Sequence, residues 1–279
     1  MVQQCIGTFG LAFDVTRQLF VTSQLTGGLF AFAQSGGTAE SQPRLGTALG
    51  PSAYDLTFGT DGQLYGVRPL TNGSFSAGAV VQLDPKTGII ARTLTQSLST
   101  PTWIATNPQT GDLFVTNGGS GSLFSPNLWR IHNPSGKDSP PTVSVYTSDP
   151  SGFVQLVFAP DGTLYAMARD GRVLSYPGNS SAEPVPSTLL VKTAGGAGLA
   201  LGPLGTNGAP STISVSGGGT VSRVNVADGT VTSLVTGAFN LIEEKVGADS
   251  CLYLPDGATV LKVTNSDGTC NWTPTPGPA

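Results

Sequence analysis

Apolar and polar positions along this chain fall into short apolar runs separated by turns rich in Gly, Asn, Asp and Pro, and no stretch sustains a helical period. One order of elements recurs: a short apolar strand, a tight turn often written Asp-Gly, a second strand opening Leu-Tyr or Leu-Phe, and a third apolar strand. It reads GLAFDVTRQLFVTS from Gly10, DLTFGTDGQLYGVR from Asp55, WIATNPQTGDLFVTN from Trp103, QLVFAPDGTLYAMA from Gln155 and GLALGPLGTNGAPSTISVS from Gly198. A sixth copy, EEKVGADSCLYLPDG from Glu243, has the least distinct first strand. Third strands follow in each copy, from GLFAFA (28–33) to TVLKVT (259–264), and fourth strands read IIARTL, TVSVYT, STLLVK and TVTSLV.

The starts are 45, 48, 52, 43 and 45 residues apart, the length of a four-stranded blade, so the pattern predicts an all-β, six-bladed β-propeller. No fourth strand follows Thr264, and the segment from Val2 to Thr8 precedes the first blade; it is expected to supply the missing outer strand and close the ring, leaving no open sheet edge. Residues 1–270 then form a single disc. The Thr/Pro-rich residues 271–279 are expected to be an extended linker to a further module.

Composition narrows the partners. Of 279 residues 38 are Gly and 21 Pro, which disfavours long helices, while 38% hydrophobic content with only 11% charged residues excludes wholesale disorder. A net charge of −4, with 13 Lys plus Arg dispersed singly, lacks the basic stripe that nucleic acid requires. No run approaches a membrane span or a signal peptide. Three cysteines leave the pairing open; Cys251 and Cys270 bracket one strand-turn-strand unit and are the first choice for a disulfide, which implies an extracellular or cell-surface location, with the pairing of Cys5 undetermined.

The F-x-x-D-G-x-L-Y units at Phe58 to Tyr65 and Phe158 to Tyr165 resemble NHL-type propeller repeats. The likeness extends over the whole chain to a superfamily that includes gluconolactonase and senescence-marker lactonases and streptogramin lyases. The last unit, CLYLPDGATVLKVTNSDGTC, is similar to the final blade of extracellular bacterial propeller modules. The resemblance implies a fold more than an activity. Its lactonases hold a divalent ion through one Glu and several Asn or Asp residues, often in a Pro-Asn-Gly setting that this chain lacks; its lyases use His and Glu on seven blades, whereas this chain has six copies and one histidine, His132.

The blade register places Gly10, Asp55, Trp103, Gln155, Gly198 and Glu243 at equivalent positions on the channel mouth, with Tyr54 just before Asp55. Asp55, Gln155 and Glu243 form a candidate oxygen-ligand set suited to Ca²⁺ or Mg²⁺. The bland alternative is that the acids cap backbone N–H groups. Two connections between second and third strands are long, RPLTNGSFSAG (68–78) and TNGGSGSLFSPN (116–127), and are expected to rise as loops carrying Phe75 and Phe124 onto the same face. His132, in WRIHNP, reads as a turn-flanking surface residue, and no G-x-S-x-G elbow offers a nucleophile for a triad.

Two functions compete. The first is a non-catalytic extracellular binding or adhesion module, a monomeric unit of a larger protein, recognising a glycan, peptide or protein through Tyr54, Asp55, Trp103, Gln155, Phe75 and Phe124. The alternative is a divalent-metal-dependent hydrolase or lactonase at the central channel, for which Asp55, Gln155 and Glu243 are the discriminating residues.

Overall fold

A computed structural model describes the chain except residues 1, 4–7, 24–26, 34–36, 39–43, 47–48, 51–53, 72–73, 119–124, 182–183, 194–195, 207, 238–242, 248, 257–258 and 273–279. Among the described residues there are strands and turns and no helix, and the strands form six small sheets arranged as a six-bladed β-propeller. Blade 1 comprises Thr8–Phe13, Leu19–Ser23, Leu29–Phe32 and Arg44–Gly46. Blades 2 to 5 each repeat the antiparallel four-strand order, beginning on Leu56–Phe58, Pro101–Thr106, Phe153–Phe158 and Gly198–Leu201.

Blade 6 is built from both ends of the chain. Lys245–Val246, Leu252–Asp256 and Thr259–Val263 are followed by Val2–Gln3, which pairs antiparallel with the last of these through Val2↔Val260 and Gln3↔Thr259. The N-terminal strand therefore closes the ring. It also pairs in parallel with Gly37–Thr38, which adds a fifth strand to this sheet.

Each sheet has a blade on either side, so its middle strands are apolar on both faces, and a separate hydrophobic cluster fills each of the six seams. Phe20 and Phe58 meet between blades 1 and 2, and Tyr65 and Ile104 between blades 2 and 3. Between blades 3 and 4 the Phe114 ring packs edge-on against Tyr146 at 4.9 Å and Phe158 at 4.8 Å. Met167 and Leu199, Ala200 and Leu252, and Leu11 and Tyr253 mark the remaining seams. Disc stability is thus distributed around the ring.

The Asp-Gly turns close the first hairpins. Gly62 and Gly162 take φ of 75° and 84°, while the side chains of Asp61 and Asp161 accept hydrogen bonds from the N–H groups of Gln63 and Thr163. One expectation is corrected here: residues 68–78 are not a loop. Leu64–Thr71 and Ser74–Leu83 continue as one long hairpin, paired as far as Thr71↔Ser74. Cys251 and Cys270 are joined by a disulfide with a Cα–Cα distance of 4.9 Å. Cys5, and 273–279 of the proposed linker, lie outside the described residues.

Candidate functional site

The six first strands surround the axis, and their starts bring the only deeply buried run of charge in the described structure to the channel. Asp55, Glu243 and Glu244 are each 1% exposed and Lys245 is 8% exposed. Asp55 acts as a clamp between blades: Oδ1 accepts a hydrogen bond from the Leu56 N–H at 2.7 Å, and Oδ2 accepts one from the Ile104 N–H of blade 3 at 3.0 Å. Gln155 repeats half of this arrangement. Its Oε1 accepts from the Leu156 N–H at 2.9 Å, and its Nε2 has no hydrogen-bond partner among the described residues.

Lys245 joins the acids. Its Nζ lies 3.2 Å from Glu243 Oε1 and 3.8 Å from Asp55 Oδ1. Glu243 Oε1 lacks an aligned hydrogen bond, so the contact is an ion pair held by proximity. Burial first, and then the negative charge of Asp55, pushes the Glu243 carboxyl well above the usual range. Burial opposes the Lys245 charge, but Asp55 and Glu243 outweigh it and hold the ammonium pKa above its ordinary value. Lys245 therefore stays charged.

Glu244 turns toward blade 5. Burial raises its carboxyl to about 7, against a smaller opposing effect of the Ser214 and Ser216 hydroxyls beside it. Neither carboxylate oxygen nor either hydroxyl makes a well-aligned hydrogen bond among the described residues. Two cavities of about 20 Å³ flank this cluster. Lys245 and Thr57 line both, and Glu244 lines the second with Thr106. Each has room for about one water molecule, against roughly 300 Å³ or more for a small-molecule pocket.

The structure thus brings Asp55 and Glu243 together on one ammonium and leaves Gln155 in its own cap. A hard divalent cation takes six to eight oxygen ligands. Here both Asp55 oxygens are engaged by backbone donors, Glu243 faces Lys245, and among the described residues no group of three or more His, Cys, Asp or Glu side chains is placed to hold a metal. The donor set does not fit such an ion.

The remaining candidates are dispersed. Trp103, 9% exposed, packs with Val154, Val157 and Tyr165 in an inter-blade cluster. Tyr54 is half-buried against the seam between blades 2 and 3. Phe75 belongs to the strand Ser74–Leu83, its side chain outside the description, and Phe124 lies outside the described residues. His132 stands far from the axial cluster in sequence, its side chain 40% exposed and its Nδ1 3.3 Å from Asp112 Oδ2, which also accepts from the Arg130 guanidinium.

Sequence reasoning passed over Glu244 and Lys245. The signal was there: Glu243-Glu244-Lys245 places three consecutive charges where the other copies carry pairs such as Leu11-Ala12, Ile104-Ala105 and Leu199-Ala200.

No family model matches the chain, and no curated protein matches it in sequence. Solved structures do resemble it. A gluconolactonase from Xanthomonas campestris is 14% identical, with a TM-score of 0.65 over 92% of this chain and 86% of that one. An auxiliary nutrient binding protein from Bacteroides thetaiotaomicron is 11% identical, with a TM-score of 0.65 over 90% and 67%. Regucalcin, a calcium-binding protein from Agrobacterium tumefaciens, is 14% identical, with a TM-score of 0.63 over 90% and 82%. At such identities the likeness is one of fold, and the chain shares the propeller architecture of gluconolactonase-like proteins.

Proposed function

We propose that the disc is an extracellular recognition module that holds a glycan, peptide or protein against the face bearing the blade 2 hairpin. The hairpin carries this reading. The Val67 N–H donates to the Asp55 carbonyl at the level of the channel mouth, and the paired strands continue beyond it to Thr71↔Ser74. Its base is braced where Gly78 meets Pro101: a Cβ on Gly78 would lie 2.1 Å from Pro101 Cδ. A braced protrusion on a rigid scaffold is where binding residues concentrate. The Cys251–Cys270 disulfide supports an oxidising compartment, and a structural neighbour that is an auxiliary nutrient binding protein is in keeping with a recognition role.

The hydrolase reading draws on the gluconolactonase neighbour and on the meeting of Asp55 and Glu243 near the axis. The small cavities and the paired carboxylates weigh against it. The test screens glycan and protein arrays with the native chain and with a variant whose residues 69–76 are replaced by a two-residue turn. A ligand lost by the shortened hairpin at unchanged melting temperature supports recognition there. Undiminished binding by the variant, or lactone hydrolysis by the native chain with added Ca²⁺ or Mn²⁺, overturns the proposal.

A further inference from the structure

Two carboxylates buried at the axis of a propeller demand positive charge, and a mobile ion is one way to supply it. This chain has another. We propose that Lys245 is the resident cation of the channel: its ammonium takes the place between Asp55 and Glu243 that a divalent ion would need, so the native chain binds no Ca²⁺ or Mg²⁺ there.

Three features carry the inference. The first is reach. At the position equivalent to Lys245 the neighbouring blades carry Ala12, Thr57, Ala105 and Val157, all short, and Lys245 borders both axial cavities, one of them lined by Ala12's strand and the other by Ala105 and Val157. One long side chain therefore occupies space that six blades share.

The second is the fixing of the acids. Asp55 is held by N–H groups of two blades, Leu56 of its own and Ile104 of the next, so its carboxylate faces Lys245 in a set orientation. Glu243, two residues before Lys245 on the same strand entry, closes on the ammonium from blade 6. The cation is thus gripped from both sides of the ring-closing region.

The third is that no further ligand can enter from two of the other blades. Positions 10 and 198 are glycines because the adjoining blade fills their side-chain space: a Cβ on Gly10 would lie 2.4 Å from the Tyr54 carbonyl oxygen, and one on Gly198 would lie 2.6 Å from Glu244 Cγ. Gln155 is turned to its own backbone. An ammonium satisfied by two carboxylates fits this sparse set better than an ion that seeks six or more oxygens.

The proposal concerns the axis and is independent of ligand recognition on the hairpin. It is tested on the full chain after exhaustive dialysis against chelator. Metal analysis is expected to find no bound divalent ion, and the melting temperature of the native chain is expected to be unmoved by millimolar Ca²⁺, Mg²⁺ or Mn²⁺. Lys245→Met keeps the apolar stem and removes the charge; it should melt lower than the native chain with or without calcium, since the capped Asp55 and Gln155 leave too few oxygens for an ion. Lys245→Arg should keep most of the native melting temperature, and adding Glu243→Gln to Lys245→Met should recover part of the loss, because the carboxylate left without its cation is then gone. If Lys245→Met does not fold, a folded Lys245→Met/Glu243→Gln double variant supports the proposal, and an unfolded one overturns it. Stoichiometric metal in the native chain, or a Lys245→Met that melts with the native chain, also overturns it.

Discussion

Gly198 of blade 5 has no side chain because Glu244 of blade 6 occupies the space: a Cβ there would lie 2.6 Å from Glu244 Cγ and 3.0 Å from the Glu243 carbonyl carbon. The Ser216 hydroxyl, at 2.1 Å, can rotate away, but the blade 6 backbone can move only by opening the seam. Gly198→Ala is therefore expected to destabilise the disc by about 1–3 kcal/mol, the usual range for overpacking. Urea unfolding checks it. A midpoint equal to that of the native chain would show that blade 6 backs away freely.

The same seam sets a pH dependence. The Glu244 carboxyl ionises near 4.5 in the unfolded chain and, raised by burial, at about 7 in the folded one. Below about 4.5 both states hold the proton; between these values only the folded state does, so the Glu244 contribution to stability falls as pH rises through the window and is flat above it. The separation corresponds to about 3 kcal/mol. Glu243 is raised by the same cause and acts in the same direction, so the comparison must isolate Glu244. Glu244→Gln should lose stability less steeply than the native chain between pH 4.5 and 7. Parallel stability curves would remove Glu244 from the account.

The repeat was legible because its signals are local. Within one hairpin the Tyr65 hydroxyl donates to Asp61 Oδ2 at 2.6 Å, and in blade 6 the Tyr253 hydroxyl donates to Asp249 Oδ2 at 2.9 Å, so the Asp-x-x-x-Tyr spacing is itself a clasp. The blade starts followed from that register. The axial cluster was harder to read, since Lys245 meets Asp55 only after the ring closes, and a charge run reads as solvated until the fold surrounds it. The blade 2 hairpin was misread for a related reason. Its Gly/Ser-rich sequence has turn composition, yet strand pairing depends on the partner opposite, as in Arg68↔Ala79 and Pro69↔Gly78.

The disulfide spans 19 residues of sequence and secures the end of blade 6, where the Trp272 N–H also donates to the Ser250 carbonyl. Replacing both Cys251 and Cys270 by Ser should cost about 3 kcal/mol in the chain-entropy account. Thermal melting of the double variant, compared with the native chain with and without reductant, measures this. A native melt unaffected by full reduction would show that the blade holds without the bond.

Trp103 lies in the inter-blade cluster, so its substitution reports on packing. Trp103→Ala should lower stability by about 3–5 kcal/mol through cavity formation. Affinity measured on the surviving folded fraction then decides whether the residue also touches ligand. A stable variant with weakened binding would return Trp103 to the recognition face.

Asp55 makes the most consequential single contact at the axis. Asp55→Ala leaves the Leu56 and Ile104 N–H groups without their carboxylate and leaves the Lys245 ammonium with Glu243 alone. Removing one partner of a buried charged network costs about 3–5 kcal/mol, because the remaining charge and donors stay desolvated. Asp55→Asn retains a carbonyl acceptor for one N–H group but no charge for the ammonium, so it should fall between the native chain and Asp55→Ala. Adding Lys245→Met to Asp55→Ala should recover part of the loss, since the buried cation left short of a partner is then gone. Chemical denaturation of the native chain, Asp55→Ala, Lys245→Met and the double variant gives the coupling directly. Strict additivity would show that Asp55 serves the backbone clamp alone and that the 3.8 Å approach of Lys245 carries no energy.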